Sequence, residues 1–179
     1  MVALAVAAVT SGAAKSQSFY VGFGPGLSVQ SGKIDGVRLA LLANATYQRH
    51  NWQVSGRFVE CLDWHINLGL SGGGSKIIDR TRELALLAGI RGQSDSHSSI
   101  SFEAGIGSVS GHTDESILDS SGYPIGHMTF SAVGLALQSQ FYYKRIGLML
   151  FGNLNSEQSF GGLSLTFRLG SFAILERQI

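Results

Sequence analysis

The 179-residue sequence contains little charge, since Asp, Glu, Lys and Arg make up only 14% of its residues, against about 25% in an ordinary soluble domain. Its net charge of +1 argues against nucleic-acid binding, which needs an extended basic patch to neutralise a row of phosphates. The single cysteine, Cys61, excludes an internal disulfide and a multi-cysteine zinc site. No stretch reaches the about 18–20 consecutive apolar residues of a transmembrane helix.

The chain has instead a strict alternation of residue types, first seen between Phe19 and Gln30. Large apolar residues such as Val21 and Phe23 occupy one row, and Gly22 and Gly24 belong to the other. A period of two places successive side chains on opposite faces of a strand. The second row is unusual because it is made of glycine, hydroxyl and amide groups rather than charges.

The same period recurs in seven further segments of about ten residues, the length at which a tilted strand crosses a bilayer. The eight apolar rows begin at Phe19, Val37, Trp52, Leu84, Ile100, Val133, Ile146 and Leu163. We therefore predict an all-β fold, a closed antiparallel eight-stranded up-and-down transmembrane β-barrel, over residues 18–172. Amphipathic helices compete for the second and fourth segments, but strict alternation disfavours them.

The predicted connections are short between strands two and three and between strands six and seven, and long over 65–79 and 111–126. Short turns at one rim and long loops at the other are typical of bacterial outer-membrane barrels. A soluble, lipocalin-like barrel also alternates, but its polar row would face water and carry many charges. We therefore expect the apolar rows to face lipid and the small polar residues to fill a narrow lumen.

A few charged residues belong to the polar rows and would project into the lumen. A buried charge persists when it is paired and hydrogen-bonded, so we predict an Arg–Glu network that blocks solute passage, with both glutamates as its anionic centres. Its members are Arg38, Arg57, Glu83, Glu103 and Arg168. Arg91 belongs to a polar row as well. The alternative is that several of these residues, Arg91 and Arg38 among them, lie in water at a rim.

Aromatic residues cluster at the predicted strand ends, where an interfacial belt is expected. The belt comprises Tyr47, Trp52, Trp64, Phe141 and Tyr143, and we assign Tyr20 and Tyr142 to it as well. For any one of these residues, ordinary packing in the protein is the alternative.

The two ends of the chain differ from the barrel. Residues 1–17 contain a short apolar run followed by small residues, as in a secretory signal peptide, with a short buried helix as the alternative. The run lacks preceding positive charges, so we expect a signal peptide truncated at its start. Residues 173–179 are predicted to form a C-terminal tail.

The chain resembles the small eight-stranded outer-membrane barrels of diderm bacteria, the OmpA/OmpX-like and outer membrane protein β-barrel domain families. The resemblance is most specific in the last strand, Gly161–Gly170 (GGLSLTFRLG). It implies a monomer in the bacterial outer membrane, in contact with lipid and lipopolysaccharide, whose closing strand is read by the barrel-assembly machinery. The chain departs from the family by continuing past Phe172 instead of ending on an aromatic residue.

Lipid A deacylases resemble this architecture and use a His-x-Ser pair with a carboxylate. The nearest match is His127-Met128-Thr129 with Ser131, but threonine replaces the nucleophilic serine and no Asp or Glu follows within the sixth strand to orient the histidine. The histidines lack the spacing of a metal site, so we expect no metal. Because the deacylase match is incomplete, we also expect no enzyme and no cofactor. The predicted role is structural or interactive, through the long loops and an extracellular partner; a narrow channel, a lipid A-modifying enzyme and a soluble carrier are the alternatives.

Overall fold

A computed structural model describes residues 17–32, 36–62, 80–93, 97–113 and 128–174. Eight strands account for most of them: β1 (Gln17–Gly32), β2 (Gly36–Arg49), β3 (Trp52–Leu62), β4 (Arg80–Gln93), β5 (Ser98–Thr113), β6 (Met128–Tyr143), β7 (Ile146–Leu154) and β8 (Gln158–Ile174). Each strand pairs antiparallel with the next, and β8 pairs with β1 to close the barrel. The predicted fold class is therefore confirmed. Most strands exceed the expected ten residues, and β8 has 17.

The links between strands divide the barrel into two rims. The short-turn rim holds the two-residue turns His50–Asn51 and Lys144–Arg145 and the link 94–97. It also holds the paired strand ends Gln17 and Ile174. The opposite, long-loop rim holds the links 33–35, 63–79, 114–127 and 155–157. No helix within the described ranges has the length and apolar character to cross a membrane.

One predicted loop boundary is wrong. The loop expected over 111–126 begins later, because Gly111, His112 and Thr113 continue β5 and pair with Phe130, Thr129 and Met128 of β6. Glycine, as at position 111, has low strand propensity in isolation, and pairing with the partner strand overrides it. Residues 65–79 and 114–126 lie outside the described ranges, as do residues 1–16 of the predicted signal peptide.

The apolar rows lie on the outer surface and the polar rows inside, as predicted. Val133 is 72% exposed and Leu27 58%, whereas Thr46 and Ser55 are fully buried. A soluble protein would bury the first pair and expose the second. The exposed leucine, valine and phenylalanine side chains form an apolar band around the barrel, as a lipid bilayer requires.

The lumen also contains an apolar cluster that the alternation alone did not predict. It comprises Ala40, Leu42, Val59, Cys61, Val109, Phe130, Met149, Phe151 and Phe160. Most of these residues lie toward the long-loop rim. The remainder of the interior holds amides, hydroxyls and charges, a smaller apolar cluster and two tyrosine rings, and the apolar cluster consists of Ala85, Leu87 and Ala136. An eight-stranded barrel is narrow enough for such side chains to fill it.

The seam between β1 and β8 has an irregularity near the short-turn rim. The register shifts between Phe19 and Val21 because β8 has one extra residue there, as in a β-bulge. Gly170 has a φ of 76° in this region, a conformation that glycine adopts without a Cβ clash. Beyond the bulge, β8 continues to Ile174, so the first two residues of the predicted tail, Ala173 and Ile174, pair with β1.

Candidate functional site in the barrel lumen

A buried ion pair crosses the middle of the lumen. Arg57 on β3 donates from Nε to Glu83 Oε2 and from Nη2 to Glu83 Oε1 on β4, both at 2.9 Å. The register brings them together because Arg57 lies opposite Ala85, which makes Glu83 its diagonal neighbour on the inner face. This bidentate geometry is the strongest form of an Arg–carboxylate contact.

The remaining polar atoms of the pair are satisfied from the opposite wall of the barrel. Arg57 Nη1 donates to the carbonyl oxygen of Leu137 at 2.7 Å, and Nη2 donates to that of Gly152 at 3.0 Å. Asn153 Nδ2 donates to Glu83 Oε1 at 2.8 Å. The pair thus links β3, β4, β6 and β7 through the interior.

Glu103 on β5 is held by neutral donors instead of an arginine. Ser55 Oγ donates to Oε1 at 2.5 Å, Gln140 Nε2 donates to Oε2 at 3.0 Å, and Gln138 Nε2 also donates to Oε2. Within the described strands, no arginine forms a salt bridge with this carboxylate. Three hydrogen bonds therefore compensate the buried charge of Glu103, in place of the predicted guanidinium.

Arg168 on β8 lies between two aromatic rings. Its Cζ atom is 4.0 Å from the centroid of Tyr20 and 3.8 Å from that of Tyr142. Both distances are well inside the range of a cation–π interaction. The structure thus places Arg168 in the lumen but joins it to aromatic faces and not to Glu103.

The assignment of Tyr20 and Tyr142 to the interfacial belt is wrong. Both rings are buried inside the barrel. The signal that identifies them is the alternation itself, because Tyr20 belongs to the row of Gly22 and Gly24, and Tyr142 to the row of Gln138 and Gln140. Proximity to a strand end suggested an interfacial position, and the period of two overrides it.

Arg38 also faces the lumen, opposite Ser28 of β1 and nearer the long-loop rim. It is buried, so the alternative of a solvated rim position does not describe it. The structure does not bring it into the contacts of Arg57 with Glu83. The five predicted charged residues therefore all face inward. Arg57 pairs with Glu83, whereas Glu103 and Arg168 have other partners.

Two of the solved structures similar to this chain are of Ail, the attachment invasion locus protein of Yersinia pestis. One is the structure of Ail in complex with the heparin analogue sucrose octasulfate. Its sequence is 14% identical to this chain, the match covers 87% of this chain and 100% of Ail, and the TM-score is 0.59. The other Ail structure is 13% identical over the same shares, with a TM-score of 0.59. A third similar structure is that of Neisserial surface protein A (NspA). Its sequence is 12% identical to this chain, the match covers 84% of this chain and 96% of NspA, and the TM-score is 0.60. No family model and no curated protein sequence matches the chain.

This is the fold of a small outer-membrane barrel. The similarity extends over nearly the whole described barrel, so the resemblance drawn from the alternating strands is confirmed at the level of architecture. At 12–14% identity it establishes the fold.

Four residues of the predicted belt lie where this architecture needs interfacial aromatics. Tyr47, Trp52, Phe141 and Tyr143 are exposed on the outer surface near the short-turn rim. Trp64 lies outside the described residues. Rings at this height can place their apolar bodies in lipid and their polar atoms at the headgroups.

The deacylase-like residues are only partly visible. Thr129 and Ser131 lie exposed on the outer face of β6, whereas His127 lies outside the described residues. Among the described residues, no cluster of three His, Cys, Asp or Glu side chains is placed to hold a metal ion. Cys61 is buried beside Ser28, whose Oγ lies 3.2 Å from its sulfur.

Proposed function

We propose that the protein is a non-enzymatic integral protein of a bacterial outer membrane, which holds the segments 65–79 and 114–126 at the outer surface for interaction with external partners. Its apolar exterior supports the membrane location. Both long segments arise from the same rim, opposite the rim with short turns, as in barrels whose long loops face outward.

The filled lumen is the observation that carries this proposal over the channel alternative. Arg57 and Glu83 are 1% exposed and Met149 is fully buried. A continuous aqueous passage would leave the side chains along it accessible to water. The layer of ion pair and apolar side chains therefore favours a structural or interactive role.

The similarity to Ail supports the interactive part of the role. Ail was crystallised with a heparin analogue, and we extend to this chain a general ability to bind partners at its outer surface. The enzyme alternative has weaker support because threonine occupies the nucleophile position at 129. The soluble carrier is not favoured, because the exposed apolar rows would face water.

Three measurements on the full chain, expressed in a diderm host, test the proposal. We expect recovery in the outer-membrane fraction, and a shift in gel mobility on boiling, because a folded barrel resists detergent until heated. We also expect electrical silence of the purified protein in planar bilayers. Stable single-channel conductance would replace this role with that of a narrow channel, and deacylated lipid A in the expressing cells would establish an enzyme.

A further inference from the structure

A group of polar residues interrupts the apolar exterior near the long-loop rim. This exterior polar patch consists of Glu60, Arg80, Arg82, Ser110, His112, Thr129 and Ser131, all on the outer face of β3 to β6. The register aligns them in two adjacent rows. One row runs Glu60, Arg82, Ser110, Ser131, and the other runs Arg80, His112, Thr129.

The patch lies at the edge of the apolar band. On β6 the apolar part of the outward row runs from Tyr143 at the short-turn rim to Val133. The next outward residue toward the long-loop rim is Ser131. Ten residue steps of a strand tilted by about 40° correspond to about 26 Å of height. A bacterial outer-membrane barrel has an apolar band of about 25 Å, so Ser131 and Thr129 of β6 lie at the headgroups on the long-loop side.

Arg80 pairs with Leu62, which is likewise ten residue steps from Trp52 at the short-turn end of β3. Arg80 therefore lies at the same edge of the band, with Arg82 two residues nearer its centre.

The charge of the patch is positive. Glu60 Oε1 accepts from Nε of Arg82 at 2.9 Å and from Nε of Arg80. One carboxylate thus holds two guanidinium groups, and these contacts use a single N–H of each. Both arginine side chains remain 43–49% exposed. Each guanidinium carries five N–H donors in a planar fork suited to phosphate.

We infer that the exterior polar patch binds the phosphate of a phosphorylated glycolipid headgroup, that of lipopolysaccharide, in the leaflet at the long-loop rim. This inference rests on the proposed outer-membrane location. Glu60 orients the two arginines side by side, and the hydroxyl groups of Ser110, Thr129 and Ser131 extend the polar surface along the neighbouring strands. Positive charge next to the lipid face matches an anionic headgroup there and has no favourable partner in a neutral one.

The test compares three folded proteins in detergent: the wild type, Arg80→Gln/Arg82→Gln, and the matched control Lys144→Gln/Arg145→Gln. The control removes the same charge from two exposed residues at the opposite rim. Binding is measured by native mass spectrometry with lipopolysaccharide, with its dephosphorylated form and with phosphatidylglycerol. We expect the patch variant to bind lipopolysaccharide about tenfold more weakly, as for the loss of one charge-assisted hydrogen bond. The control should bind as the wild type does.

Dephosphorylation should weaken wild-type binding by a similar factor and leave the patch variant unaffected. Equal binding by wild type and patch variant would overturn the inference, as would an equal loss in the control, which would indicate diffuse attraction. Wild-type affinity for phosphatidylglycerol equal to that for lipopolysaccharide would also overturn it. Heat-modifiable mobility of each variant verifies folding, and membrane fractionation tests the location separately.

Discussion

At the scale of the residue, the pair of Arg57 and Glu83 makes the sharpest prediction about stability. Glu83→Gln leaves the guanidinium buried without its counter-charge, which costs about 3–5 kcal/mol in comparable buried pairs. We expect the free energy of unfolding in lipid vesicles, measured by urea titration, to fall by that amount. The double variant Arg57→Met/Glu83→Leu removes both charges and should recover most of the loss. A single variant as stable as the wild type would show that the pair does not stabilise the barrel.

Arg168 and its two tyrosines make a second residue-scale prediction. Tyr142 Oη has no hydrogen-bond partner among the described residues, so the ring face and not the hydroxyl holds the guanidinium. Tyr142→Phe should change the free energy of unfolding little, whereas Tyr142→Leu should lower it by about 2 kcal/mol or more. In an Arg168→Met background the cost of Tyr142→Leu should shrink. A large effect of Tyr142→Phe in urea titration would contradict this assignment.

The charged residues of the lumen lie on the inner face, but their partners differ from the predicted Arg–Glu network. The period of two determines that Arg57, Glu83, Glu103 and Arg168 face inward. Which of them contact each other depends on the stagger between strands and on which side chains cross the lumen. A single sequence contains neither piece of information. Glu103 accordingly meets Ser55 and two glutamines, while Arg168 meets aromatic rings.

At the scale of the element, inner-face glycines determine how closely adjacent strands approach. A Cβ added to Gly105 on β5 would lie 1.9 Å from the carbonyl oxygen of Leu86 on β4. A backbone atom cannot move aside as a flexible side chain does, so Gly105→Ala should destabilise the barrel by about 1–3 kcal/mol. The matched control is Gly56→Ala on the outer face of β3, where a Cβ meets no atom within 4 Å. It should stabilise by about 0.5–1 kcal/mol.

Urea titrations of the two variants in the same vesicles check this contrast. Equal effects would show that the strands separate readily and that the small inner residues are not required for close approach. The alternation predicted that small residues suit a narrow lumen, and this held for the inner row. It did not distinguish glycines that face a neighbouring backbone, such as Gly105, from those beside side chains, such as Gly107 next to Glu83 and Asn153. That distinction requires the register.

At the scale of the whole molecule, the barrel is inverted relative to a soluble protein, and a substitution on its exterior should report depth in the bilayer. Leu137 lies on the outer face near the middle of the apolar row of β6, and Ser131 lies at its long-loop end. Leu137→Arg should lower the free energy of unfolding in vesicles by about 2–4 kcal/mol, and Ser131→Arg should lower it by about 0–1 kcal/mol. The difference arises because an arginine at the band's edge reaches the headgroups, whereas one at its centre remains in hydrocarbon. Denaturant titration in vesicles of fixed thickness measures both. Equal costs at the two positions would mean that no depth gradient surrounds the barrel, and the membrane location would have to be abandoned.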